Sequence, residues 1–184
     1  MILDKEEFTS KWSHMLDVQE NLDKQIRQEY GITYTDMYNR NYYSYALMYL
    51  LGELSHELKA YWPWHEKTVE PVDMMKVKDK FIDCLQIILS WQNATWERVV
   101  ETNYGLYQPV IKAWNAYRRD ESTTVPMAAR YVNGIPKWCG FSYVEPPVGA
   151  IIRLMNGLGF NIEEVYNAYV TKNRINHERQ DNGY

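Results

Sequence analysis

Cysteine is scarce in this sequence: Cys84 and Cys139 are the only two in 184 residues. Two thiols cannot build a disulfide framework, and no paired-cysteine spacing offers a zinc site, so a reducing compartment fits best. No run of eighteen apolar residues occurs, and the opening MILDKEEF places Asp4, Glu6 and Glu7 where a signal peptide needs an apolar stretch. These absences point to the cytoplasm of a cell and away from a membrane. Excess basic charge is missing too: twenty Lys and Arg stand against twenty-four Asp and Glu, for a formal charge of -4. The overall field therefore does not draw the chain onto nucleic acid or an anionic surface, and direct nucleic-acid binding is not expected. Alternating strand patterns, internal repeats and sustained heptads are likewise absent.

What remains is a globular composition, 46% apolar and 24% charged, at a length that suits one domain over residues 1–184. Aromatic residues are abundant at 15% of the chain. Most serve a bulky core, and some rings are available to line a pocket for a flat ligand.

The apolar periodicity is helical. Phe8, Trp12, Met15, Leu16, Leu22 and Ile26 mark one amphipathic helix from Asp4 to about Glu29, ended by Gly31. A second helix runs through NRNYYSYALMYLLGELSHELKAY, with Asp36 as a candidate cap and Pro63 as its stop. Asp73 suits the cap of a third through MMKVKDKFIDCLQIILSWQNATWERVV, and the two long helices are expected to be antiparallel neighbours. YQPVIKAWNAYRR, VGAIIRLMNGLG and NIEEVYNAYVTKNRINHERQ complete the helical set, the last with Asn161 as N-cap and Glu163 and Glu164 in its first turn. Between them, residues 120–147 form a turn-rich stretch that reads as an ordered surface loop. The fold class is all-α.

Two acidic pairs stand out. Glu53 and Glu57 lie four apart on the second helix, and Asp79 and Asp83 four apart on the third, where Gln86 and Ser90 continue the polar line. The rest of that third helix is apolar, so ionised carboxylates there need a cation or donors to offset burial. Two such pairs on neighbouring helices suit Mg²⁺, a hard ion that takes carboxylates, water and phosphate oxygens. The same spacing also marks an ordinary solvated face. Near the C-terminus, Lys172, Asn176 and Arg179 share one side of a helix; they suit an anion and the polar edge of a base, or a plain exposed surface.

The ending KNRINHERQDNGY closely resembles the K-N-x-x-N-x-x-R-Q-x-x-G-Y signature of the all-α, dimeric dUTP diphosphatases of bacteria, phages and trypanosomatids. GELSHELKAYWPW resembles that family's first acidic motif, KFIDCLQIILS its second, and LDVQENLDKQI its opening helix. Residues 104–158 have no counterpart in the resemblance. It implies a helical-bundle pyrophosphohydrolase, a homodimer, that converts dUTP to dUMP and pyrophosphate with Mg²⁺. By this resemblance Glu53 and Asp83 are the catalytic and metal-binding carboxylates. Gln19 and Asn176 read the pyrimidine, Lys172 and Arg179 meet the phosphates, and Trp62 or Trp64 stacks on the base or packs inside. A cytoplasmic setting, in a bacterium or a phage-infected host, follows from the same likeness.

The departures are specific. Leu50 and Lys80 stand where the family carries two of its four carboxylate ligands, and Gln86 replaces a usual His. Glu57 and Asp79 are the natural substitutes, which gives Glu53, Glu57, Asp79 and Asp83 as the expected metal set; Lys80 supplies a positive charge of its own. Two further readings accommodate these changes: a pyrophosphohydrolase for another deoxynucleotide, or a catalytically impaired homologue that acts as a protein-binding partner.

Overall fold

The computed structural model describes residues 4–33, 42–58, 71–102, 108–119, 121–125, 127 and 146–183, the backbone alone at 96–102. Asp36, Trp62, Trp64, Cys139 and most of the turn-rich stretch at 120–147 lie outside these residues. The described chain contains six helices and no strand. The all-α expectation holds.

Helix α1 spans Lys5–Tyr30. Asp4 starts it by accepting hydrogen bonds at Oδ1 from the amides of Glu6 (2.8 Å) and Glu7 (3.3 Å). Gly31 ends it at φ 62°, a left-handed turn that a side chain would strain. Its inner face carries Phe8, Trp12, Met15, Leu16, Gln19 and Leu22. Helices α2 (Tyr42–Glu57) and α3 (Met74–Thr102) are the antiparallel neighbours expected from the sequence. Tyr43 stacks on Trp91 at one end of the pair, and Glu53 meets Lys80 near the other. Asp73 caps α3 through the amides of Met75 and Lys76.

Helix α4 (Pro109–Tyr117) begins with proline in its first turn, where no amide hydrogen is needed. It lies across the start of α1, with Tyr117 stacked 4.3 Å from the Phe8 ring. Helix α5 (Val148–Gly157) packs on α4. Residues 121–123 are tied across the end of α5: the Thr123 amide donates to the Arg153 carbonyl at 3.0 Å, and the Asn156 side chain to the Glu121 carbonyl at 3.1 Å. The crossing is close, since a Cβ at Gly157 would sit 2.1 Å from the Thr123 carbonyl oxygen.

Helix α6 (Ile162–Asp181) opens with a full capping box between Asn161 and Glu164. It runs alongside α1 in the same direction: Lys11 pairs with Glu163, His14 with Tyr166, and Gln25 with His177. One apolar cluster joins all six helices, with Leu47, Leu51, Phe81, Ile88, Leu89, Leu154 and Val165 among its fully enclosed members. Each such side chain contributes about 1.5–3 kcal/mol of hydrophobic stabilisation. Among the described residues no helix is long and apolar enough to cross a membrane.

Candidate functional site

The long helix α3 brings Asp79, Asp83, Gln86 and Ser90 onto one stripe by their spacing. Around that stripe α1, α2 and α6 place the other polar residues, in two groups.

The charged group lies toward the start of α3. Lys80 Nζ donates to Glu53 Oε2 at 2.9 Å, and the Tyr49 hydroxyl donates to Glu53 Oε1 at 2.8 Å. The Lys80 bond, then the Tyr49 bond, holds the Glu53 carboxyl below the usual carboxylate range; the same contacts raise Lys80 and Tyr49. From α6, Lys172 Nζ reaches both aspartates of α3, at 2.7 Å from Asp79 Oδ1 and 2.7 Å from Asp83 Oδ1, and donates to the Asp79 carbonyl at 3.0 Å. Three of the four expected metal ligands are thus brought to the junction of α2, α3 and α6. Glu57, one turn beyond Glu53, makes no hydrogen bond or ion pair with the described residues.

These carboxylates already have cations. Among the described residues no three His, Cys, Asp or Glu side chains come together in a way that could hold a metal ion. Lys80 and Lys172 occupy the acidic oxygens, so the donor set as placed does not fit a four-carboxylate cage; an ion would have to displace both ammonium groups.

The second group, of amides and hydroxyls, begins one turn further along α3. Asn176 Nδ2 donates to Gln86 Oε1 at 3.4 Å. Gln19, 4% exposed, donates from Nε2 to Asp23 Oδ1 at 2.8 Å, and the Ser90 hydroxyl donates to the same oxygen at 2.9 Å. The Tyr169 hydroxyl lies 3.0 Å from Gln19 Oε1 and 3.1 Å from the Met15 carbonyl, and it accepts from Asn173. Burial pushes the Asp23 carboxyl up to about 6, against the lowering effect of the Gln19 and Ser90 bonds. The Tyr169 phenol is raised by burial and by Asp23. Asp23 Oδ2 and Gln86 Nε2 are enclosed with no hydrogen-bond partner among the described residues.

Lys172 thus meets the two aspartates of α3, Asn176 lies beside Gln86, and Gln19 is enclosed between Asp23 and Tyr169. Arg179 does not join them: it is exposed in the last turn of α6, and its guanidinium makes no hydrogen bond or ion pair with the described residues. Sequence reasoning missed Asp23, Tyr169 and Asn173. The signal was available, because Asp23 follows Gln19 by four on the inner face of α1, and Asn173 follows Tyr169 by four on α6.

A groove of about 740 Å³ also opens between α3 and α6, lined by Met75, Ile82, Phe160 and Ile175 with Asp79 and Lys172 at its edge. None of the amide group lines it. The polar contacts, rather than this mostly apolar groove, are therefore the candidate site.

Comparison with known proteins gives two matches. A stretch of 34 residues is 50% identical to a dCTP pyrophosphatase of Enterobacteria phage T4, covering 18% of this chain and 20% of that protein. The chain thus spans about a fifth of the length of the curated relative it matches. The profile of the dUTPase family matches residues 11–184, nearly the whole chain from within α1 to beyond α6, and on that extent the chain belongs to the dUTPase family.

Proposed function

We propose that this protein hydrolyses a pyrimidine deoxynucleoside triphosphate to the monophosphate and pyrophosphate. The observation that carries the reading is the order of groups along α3, charged at Asp79 and Asp83, then amide and hydroxyl at Gln86 and Ser90. Asp83 and Ser90 lie two helical turns apart, about 10 Å. A nucleotide laid along this stripe has its phosphates beside the lysines and its base beside the amides.

In that arrangement Lys172 and Lys80 offset the charge of the triphosphate and of the departing pyrophosphate, whereas Arg179, one turn past Asn176 on α6, stands beyond the base end. Asp83 or Glu53 accepts a proton from the attacking water as its oxygen bonds to phosphorus and the phosphoanhydride bond breaks. Glu53 is ionised, but Lys80 and Tyr49 already occupy its two oxygens and lower its basicity, so it serves only once one of them gives way. Gln19 and Asn176 face the base end. Mg²⁺ belongs to the proposal on the strength of the sequence resemblance, with Lys80 and Lys172 as the groups it has to displace.

The family name points to dUTP and the phage relative's name to dCTP. A homodimer belongs to the same reading: Tyr42, Tyr45 and Tyr49 stand exposed along α2, a face suited to a second copy. The test is pyrophosphate release from each deoxynucleoside triphosphate, with and without Mg²⁺, beside an Asp83→Ala control. Turnover of dUTP or dCTP that Asp83→Ala abolishes supports the reading. A folded protein that turns over no nucleotide overturns it, and an unaffected Asp83→Ala variant overturns the assignment of Asp83.

A further inference from the structure

Asp23 is an odd occupant for the inner face of α1. Its Oδ1 accepts both of the hydrogen bonds it receives from side chains, from Gln19 and from Ser90, while Oδ2 is enclosed and bonded to nothing among the described residues. An enclosed acceptor without a donor is a standing cost that a structural role does not explain. Its neighbour Gln86, one turn before Ser90 on α3, carries the converse, an enclosed Nε2 donor without an acceptor. Each residue keeps some exposed surface while the unbonded oxygen and amide nitrogen are enclosed, so a ring that reaches them has to part the side chains over them.

The hydrogen-bond directions are also set. Gln19 must present its amino group to the Asp23 carboxylate, because the reversed amide would put two acceptors face to face. Gln19 thereby gives one of its two amide hydrogens to Asp23. What the cluster offers an incoming ring is a charged acceptor at Asp23 and a neutral donor at Gln86.

Pyrimidines differ at this point. Cytosine presents an exocyclic amine beside an unprotonated ring nitrogen, a donor next to an acceptor; uracil presents a carbonyl beside a ring N–H, the reverse order. We propose that Asp23 is the specificity-determining residue of this site: its free carboxylate oxygen accepts from the exocyclic amine of cytosine, so the protein favours a cytosine deoxynucleotide over the uracil one. This rests on the reading of the amide group as the base end of a nucleotide site. Uracil's carbonyl against the same oxygen leaves two acceptors in contact and a buried charge still without a donor.

The experiment measures binding of dCMP and dUMP by titration calorimetry at pH 7.5, for the natural protein and for Asp23→Asn, with thermal melts to confirm that both are folded. The natural protein is expected to bind dCMP more tightly than dUMP, by roughly ten- to a hundredfold. Asp23→Asn, whose amide also donates, is expected to shrink that ratio at least tenfold, as one hydrogen bond's worth of discrimination. Equal or tighter binding of dUMP by the natural protein overturns the proposal. So does a ratio that Asp23→Asn leaves unmoved, and so does failure to bind either monophosphate. Pyrophosphate release from dCTP and dUTP separates the two levels: a dCMP preference without turnover overturns hydrolysis and leaves the assignment of Asp23 standing, whereas turnover that prefers dUTP overturns the assignment of Asp23 alone.

Discussion

Replacing Asp23 by asparagine is expected to stabilise the protein at neutral pH. Burial raises this carboxyl from 3.8 to about 6, a shift of about two units, equivalent to about 3 kcal/mol of differential free energy between its charged and neutral forms. The folded state keeps a proton that the unfolded chain has already released, so folded stability is highest below the unfolded value near 3.8 and falls as pH rises through 6. Arg27 and Glu20 on its own helix, and Tyr169 from α6, are the titratable groups that couple to it. Asparagine keeps an oxygen for the Gln19 and Ser90 donors and removes the charge. At pH 8 the variant is expected to gain up to about 3 kcal/mol, or on the order of 6–12 °C in melting temperature for a chain of this size, while at pH 4 the two proteins should melt nearly together. Thermal melts at half-unit steps from pH 4 to 8 measure this. A variant that melts lower at pH 8, or a difference that does not change between pH 4 and 8, refutes the reasoning that an enclosed charge is being held at a loss. A gain would also show why such a residue needs a functional explanation, since substitutions that stabilise are common where a site is strained for activity.

Lys172→Met removes the cation shared by Asp79 and Asp83; a loss of about 0.5–1 kcal/mol in denaturant unfolding is expected from one exposed and one partly buried carboxylate left together, with KM for the triphosphate raised at least tenfold. Gly157→Ala forces a methyl group against the Thr123 carbonyl and is expected to destabilise by about 1–3 kcal/mol, or more if the 121–123 crossing cannot shift, as urea midpoints will report. Lys80→Glu replaces the ammonium beside Glu53 with a carboxylate. It should lower the melting temperature without divalent ions and create a Mg²⁺-dependent rise, about 2.7 kcal/mol at a hundred times the dissociation constant; the natural protein should show a much smaller rise.

Helix limits were readable because their chemistry is local. Asp4, Asp73 and Asn161 each stand just before an apolar repeat of helical period and cap it, and Gly31 takes the one left-handed turn that α1 requires. The polar stripe of α3 was readable for the same reason, as a spacing within one element. Its partners were not. Lys172 and Asp79 are 93 residues apart, and which cation closes on which carboxylate depends on how α3 and α6 pack, a fact that no single window of sequence contains. Lys80 shows the difference well: the sequence marks it as a departure from the acidic pattern, while only the placement of α2 shows that it neutralises Glu53. Asp23 escaped notice because a carboxylate two turns before the end of a charged helix resembles a solvated one until Ser90 and Gln19 are seen to bond it.

The crossing of residues 121–123 over the end of α5 has a consequence for stability. Pro146 and Pro147 lead directly into the beginning of that same helix, so residues 121–123 and 146–147 are anchored at opposite ends of one rod. A change that unseats α5 is therefore expected to loosen both segments together, so the Gly157→Ala variant doubles as a probe of how they are tethered.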